Sequence, residues 1–204
     1  MKSSARISLI PKGGVFVTEH RLQPITPLGH FEPETVTIGP VTITEVVSSA
    51  LASIASRRGR EADVAAAARL LGIPLPGPGG WASGAVFAAF WLGPEQWMIE
   101  APFASHQDIV ARLRPGFGDA ASITEQTDGW VRFDLAGARL PALFERLCAL
   151  DTSVMRPGSA SRTVIDHLGC NVLCRAPGAF SVIGPRSAAQ SLHHALITAA
   201  KSAF

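Results

Sequence analysis

The chain has 204 residues, 47% of them hydrophobic and 17% charged, with a formal net charge of +2. This composition excludes a disordered chain and leaves room for a real core, in one large domain or two small ones. The charges are interspersed, with no basic stripe of the kind that nucleic-acid binding needs; the densest run, Arg57-Arg58-Gly59-Arg60, reads as a solvated turn before a helix.

In chain order, residues 1–40 are rich in Pro and Gly ("LIPKGGVF", "LQPITPLGHFEPETVTIGP") and read as an extended arm suited to packing on another surface. Lys2 and Arg6 precede "ISLIP", but Pro11 ends that run before it reaches the length of a signal-peptide core, so the expected location is the cytoplasm. "VTITEVVSSALASIA" (41–55) begins with strand-like alternation. "GREADVAAAARLLG" (59–72) predicts a helix, with Glu61 and Asp63 in its first turn and Gly72 at its stop. Residues 73–80 form a Pro/Gly loop. The uncharged stretch Leu70–Pro94 is broken by Pro74, Pro76, Pro78 and several glycines, and what remains is too short to cross a bilayer.

"AVFAAFWL" (85–92) predicts a buried strand and "QWMIEA" (96–101) its partner, with Gly93-Pro94-Glu95 as the turn. "SHQDIVARLR" (105–114) predicts a helix with Ser105 as N-cap. The order then returns. "GWVRFDLAG" (129–137) is an alternating strand that places Val131, Phe133 and Leu135 on a core face and Trp130, Arg132 and Asp134 on the other. "ARLPALFERLCAL" (138–150) predicts an amphipathic helix, 161–175 and 179–185 predict strands, and 186–200 predicts a closing helix. The expected fold is therefore α+β, two ferredoxin-like halves packed together, with an arm over 1–40, a first half over 41–124 and a second over 125–204.

Few motifs carry chemistry. Gly77–Ala82 and Gly116–Ala121 match G-x-G-x-x-A on paper, but neither follows a strand and opens a helix, as a dinucleotide fingerprint must. There is no phosphate-loop lysine motif and no G-x-S-x-G elbow. The serines of "RPGSASR" have no nominated base, and His193-His194 reads as a surface or helix-end pair. His167, Cys170 and Cys174 invite a metal reading, but their spacing on strands scatters them and no fourth ligand is near. With Cys148 the cysteines number three, which argues for buried thiols rather than a disulfide framework. No Asp or Glu occurs from Val64 to Pro94, so the strand 85–92 cannot stage acid–base chemistry with its own carboxylates. The hairpin aromatics and turn, Trp91, Gly93, Pro94 and Trp97, together with Trp130, are the candidate packing or partner-interface residues.

Four blocks carry a family signal. "FWLGPEQWMIEAP" (90–102) resembles the W-L-G-P-[DE]-[EQ]-W pattern of the gamma subunit of heterotetrameric sarcosine oxidase. "TEQTDGWVRFDLAGARLPALFERLCALD" (124–151), "RPGSASRTVIDHLGCNVLCR" (156–175) and "FSVIGPRSAAQSLHHAL" (180–196) resemble its following blocks, in order and spacing. The resemblance implies a fold like that of the folate-binding aminomethyltransferases. It implies a non-catalytic role in the assembly and stability of a complex that demethylates sarcosine oxidatively to glycine, with peroxide formed and the one-carbon unit passed to tetrahydrofolate. The implied partners are the alpha, beta and delta subunits. The FAD, FMN, NAD, zinc and tetrahydrofolate of such a complex are implied to belong to those other chains, and the isolated chain is expected to dimerise, to aggregate or to keep a mobile arm. True aminomethyltransferases carry an Asp on a strand matching 82–93, where this chain reads "ASGAVFAAFWLG". The alternatives are a stand-alone folate-dependent transferase or one-carbon binder, and a generic interaction module.

Overall fold

The computed structural model describes residues 23–204, so residues 1–22 of the expected arm lie outside the described residues. In chain order the elements are β1 (Thr35–Ile38), β2 (Val41–Val46), β3 (Ser49–Ser56), α1 (Glu61–Leu70), β4 (Trp81–Ser83), β5 (Ala88–Gly93), β6 (Gln96–Pro102) and α2 (Ile109–Phe117). They continue with β7 (Ala121–Glu125), β8 (Trp130–Gly137), α3 (Leu140–Phe144), β9 (Ala160–Ile165), β10 (Leu168–Ala176), β11 (Ala179–Pro185) and α4 (Ala189–Ala203).

The strands form two antiparallel sheets, one ordered β1-β2-β8-β11-β10-β9 and the other β4-β5-β6-β3-β7. Helices α3 and α4 cover one face of the six-stranded sheet through Leu140, Leu143, Leu192 and Leu196. Helices α1 and α2 cover one face of the five-stranded sheet through Val64, Ala68, Ile109 and Leu113. The two uncovered faces meet, and Leu51, Phe90, Met98, Leu173 and Ile183 fill the space between them. The fold is α+β, as expected, in four layers: helices, sheet, sheet, helices.

The meeting of the sheets explains the unbroken apolar run of β5. Ala89 faces the helices and Phe90 faces the other sheet, both at 0% exposure, so the strand has no wet face to mark with polar residues. On β8 the alternation comes out as read: Val131, Phe133 and Leu135 are buried beneath the helices. The sheets, however, do not divide where the sequence halves do. Strand β2, placed by sequence in the first half, pairs with β8 along Val41–Val46, so the early chain completes the second sheet. Strands β1, β4 and β7 have no counterpart among the expected elements.

Two helices differ from expectation. Ser105 does not cap α2, which begins at Ile109; the Ser105 amide instead bonds the Pro102 carbonyl in a turn, at 3.3 Å, and Asp108 takes the capping position. The helix expected over 138–150 is regular only across Leu140–Phe144. Beyond it the amides of Arg146 and Leu147 donate to carbonyls three residues back, a tighter winding than an α-helix.

The β2–β8 junction depends on Gly137, whose φ is +155°. A Cβ there would lie 2.2 Å from the Pro40 carbonyl oxygen, so backbone would have to move. Gly137→Ala is expected to cost about 1–3 kcal/mol of stability, through backbone strain and overpacking, measured by urea denaturation.

Candidate functional site

The polar half of the space between the sheets holds a network of four charged side chains, of which Glu100, Arg132 and Arg175 are 7%, 19% and 14% exposed and Asp134 is 38% exposed. Period-2 geometry puts them there. Glu100 on β6 points the same way as Met98, Arg132 and Asp134 on β8 point away from Phe133, and Arg175 on β10 points with Leu173. Glu100 comes from one sheet and the other three from the second, so the network bridges them.

Its hydrogen bonds nearly exhaust it. Arg132 donates through Nε and Nη2 to the two oxygens of Asp134, both at 2.7 Å, and through Nη1 to Glu100 at 3.2 Å and to Ser49 at 3.3 Å. Arg175 donates through Nη2 to both Glu100 oxygens at 3.0 Å and through Nε to Ser181 at 2.8 Å. Ser181 in turn donates to Asp134 at 2.5 Å. The guanidinium of Arg175 also lies 4.5 Å over the ring of Trp81, a cation–π contact. The charges balance, two of each sign. Burial acts to lower the Arg132 guanidinium pKa, but the bidentate Asp134 bonds outweigh it and the net shift is upward. Arg175, which shares only Glu100, is shifted downward by burial and stays a cation at neutral pH.

A cleft of about 420 Å³ opens onto this network and is lined by Ser49, Ser83, Phe87, Ala88, Glu100 and Arg175 among others. Ala88 lies directly opposite Glu100 in the β5–β6 ladder. Glu100, on the strand beside 82–93, is the carboxylate that lines this cleft. That carboxylate is bound by two guanidinium groups and is not offered to a ligand. Sequence reading missed Glu100, although it is the only charge in the strand "QWMIEAP". Arg175 had the same signal, as the one charge on β10. Lone opposite charges in apolar strands pair when the strands meet.

Four of the five residues singled out by sequence, Trp91, Gly93, Pro94 and Trp97, share one hairpin, and Trp130 lies apart from them. Trp91 and Trp97 face each other across the β5–β6 hairpin. Trp97 packs on the core beneath α1 and α2, and its ring N–H donates to the Pro76 carbonyl at 2.8 Å. Gly93 and Pro94 make the turn, in which Glu95 takes a φ of +57°. Trp130 lies elsewhere, at the end of β8, where its N–H donates to Gln126 at 3.0 Å and its ring packs between the sheets. Cys170 and Cys174 are buried in the core under α3 and α4, while His167 sits in the β9–β10 turn at a φ of +66°.

Burial pushes the Cys170 thiol up from 9.0 to about 11. Its folded value exceeds its unfolded one, so its contribution to stability is full below pH 9 and is lost as pH rises through about 11. Denaturant titrations from about pH 8 to about pH 11 are expected to show this loss in the native protein and a shallower one in Cys170→Ala.

No family model matches the chain, and no curated protein matches it by sequence. Among solved structures, it is similar to a chain of heterotetrameric sarcosine oxidase from Corynebacterium sp. U-96 in complex with pyrrole 2-carboxylate. The TM-score is 0.67 at 20% identity, over 83% of this chain and 88% of that one. It is also similar to the glycine cleavage system aminomethyltransferase T from Bartonella henselae, with a TM-score of 0.58 at 15% identity, over 81% of this chain and 50% of that one. The chain thus spans half the length of the transferase. These likenesses establish a shared α+β fold.

Proposed function

We propose that this chain is a non-catalytic, gamma-type subunit of a cytoplasmic sarcosine oxidase complex, acting in assembly and stability beside alpha, beta and delta chains. The observation that carries the non-catalytic reading is Glu100. It is the one carboxylate lining the cleft between the sheets, and two arginines hold it in three hydrogen bonds at 3.0–3.2 Å. A group so engaged binds the sheets together and is not available as an acid or base. The extent of the likeness to a chain of a heterotetrameric oxidase supports the assembly role.

On this reading the oxidation of the N-methyl amine belongs to the other chains, with their FAD, FMN, NAD and zinc, and the one-carbon unit passes to tetrahydrofolate there. The purified chain is then colourless.

The cleft beside Ala88 favours a second reading, a stand-alone folate-dependent transferase or one-carbon binder. Calorimetric titration of the purified chain with tetrahydrofolate separates the two. The expected result is no saturable heat; stoichiometric binding that is lost in Arg175→Gln would establish the second reading.

A further inference from the structure

Residues 24–34 have no regular secondary structure, and of them only Thr26 and Leu28 are buried. The segment is a wall between two clefts. Ile25, Pro27 and Phe31 line one, an apolar cleft of about 410 Å³ floored by Leu51, Trp130 and Ile183. Leu28, His30 and Glu34 line the other, of about 670 Å³, beside α4. The segment also bonds to itself. The Thr26 amide donates to the His30 carbonyl at 2.8 Å, and the His30 amide donates to the Thr26 hydroxyl at 3.3 Å. A loop closed in this way moves as one piece.

Its attachment converges on Glu45. Strand β2 buries Val41, Ile43 and Glu45 on one face, so a carboxylate stands where the alternation calls for an apolar side chain. Glu45 is 2% exposed. Its Oε1 accepts the Leu28 N–H at 3.0 Å, its Oε2 accepts the Glu34 N–H at 3.2 Å, and its own amide donates to the Glu34 carbonyl at 2.8 Å. Two further side chains reach the segment with longer bonds, Arg186 to the Ile25 carbonyl at 3.3 Å and Gln190 to the Leu28 carbonyl at 3.4 Å. Leu28 is the one large apolar side chain that the segment places in the core.

The closed segment satisfies the buried carboxylate with charge-assisted bonds, which hold it down. When the segment lifts, water takes the place of its amides, so opening leaves no dry charge behind. Opening gives up Leu28 and these few bonds, while both sheets and the Glu100 network stay whole. It therefore costs less than unfolding the chain.

We propose that residues 24–34 form a lid, latched by Glu45, that opens as a unit from a folded body and joins the two clefts into one.

The test is amide hydrogen exchange by NMR on the full chain and on two variants. Glutamine at position 45 keeps the shape of the side chain but offers one acceptor oxygen, and its NH₂ then faces the second amide. In Glu45→Gln the Leu28 and Glu34 amides are expected to exchange at least tenfold faster. Glu100→Gln weakens contacts that lid opening does not break. There the slowest amides of β8 should speed up, with less than a twofold change at Leu28 and Glu34. The parent chain supplies a check that needs no variant: exchange at Leu28 and Glu34 should rise with urea less steeply than exchange in β8, because opening the lid exposes less surface than unfolding does. Equal urea slopes, or equal acceleration of lid and β8 amides in Glu100→Gln, would show that the segment opens only with the whole fold and would overturn the lid. Unchanged exchange at Leu28 and Glu34 in Glu45→Gln would overturn the latch.

Discussion

Replacing Glu100 by Ala is expected to lower the unfolding free energy by about 3–5 kcal/mol, the usual cost of removing one partner from a buried ion pair. The side chain of Glu100 is 7% exposed, and those of Arg132 and Arg175 are 19% and 14% exposed. Without the carboxylate the two guanidinium groups face each other across a space with little water. Arg132 keeps Asp134 and Ser49, whereas Arg175 keeps the Ser181 hydroxyl and the Trp81 ring but no anion, so most of the penalty falls on Arg175. Glu100→Gln retains the shape and one acceptor but not the charge, and should cost less. Urea denaturation measures both variants. A loss below about 1 kcal/mol for Glu100→Ala would mean that the network is solvated and does not hold the sheets.

Phe133→Ala is expected to cost a similar amount, about 3–5 kcal/mol, for a different reason. Phe133 is fully buried in the middle of β8, between Val182 of β11 and Glu45 of β2, and its ring stacks with that of His193 on α4 at 5.3 Å. Truncation leaves a cavity under α4 that backbone on both sides prevents from closing. Denaturation of Phe133→Ala, with Val154→Ala as an exposed control, measures it. A change within error would place the wrong face of β8 in the core.

Local periodicity made much of this fold legible. Helix α1, the β5–β6 hairpin, β8, β11 and α4 each show a local pattern, and the structure places them within a few residues of where the sequence does, while the strand stretch 161–175 divides into β9 and β10. What joins them was not legible. Nothing in "VTITEV" says that it will pair with β8, about ninety residues later, rather than with its neighbour β3. Arg132 and Asp134 alternate with apolar residues, as those on a wet strand face do. That their face meets a second sheet depends on Glu100 and Arg175, which are distant in the chain. Short strands such as β4, with three residues, exist through their partners and have no pattern of their own.

The candidate site divides in the same way. The tryptophans stood out because they are large. Trp97 spends its ring on a core and its N–H on a backbone carbonyl, whereas Trp130 lies at the apolar cleft. The residues that organise the interior are charged, single within their strands and far apart in sequence. Only the sheet-on-sheet geometry brings them together.

The central claim is that the chain works as a subunit of a flavoenzyme complex. Its most direct test is the native mass, by size-exclusion chromatography with light scattering, of the chain co-expressed with alpha, beta and delta sarcosine oxidase subunits. The account predicts one yellow species containing this chain in stoichiometric amount, and loss of that species when the chain is left out. A flavoprotein complex that assembles and turns over sarcosine equally well without this chain, while the chain elutes separately, would contradict it.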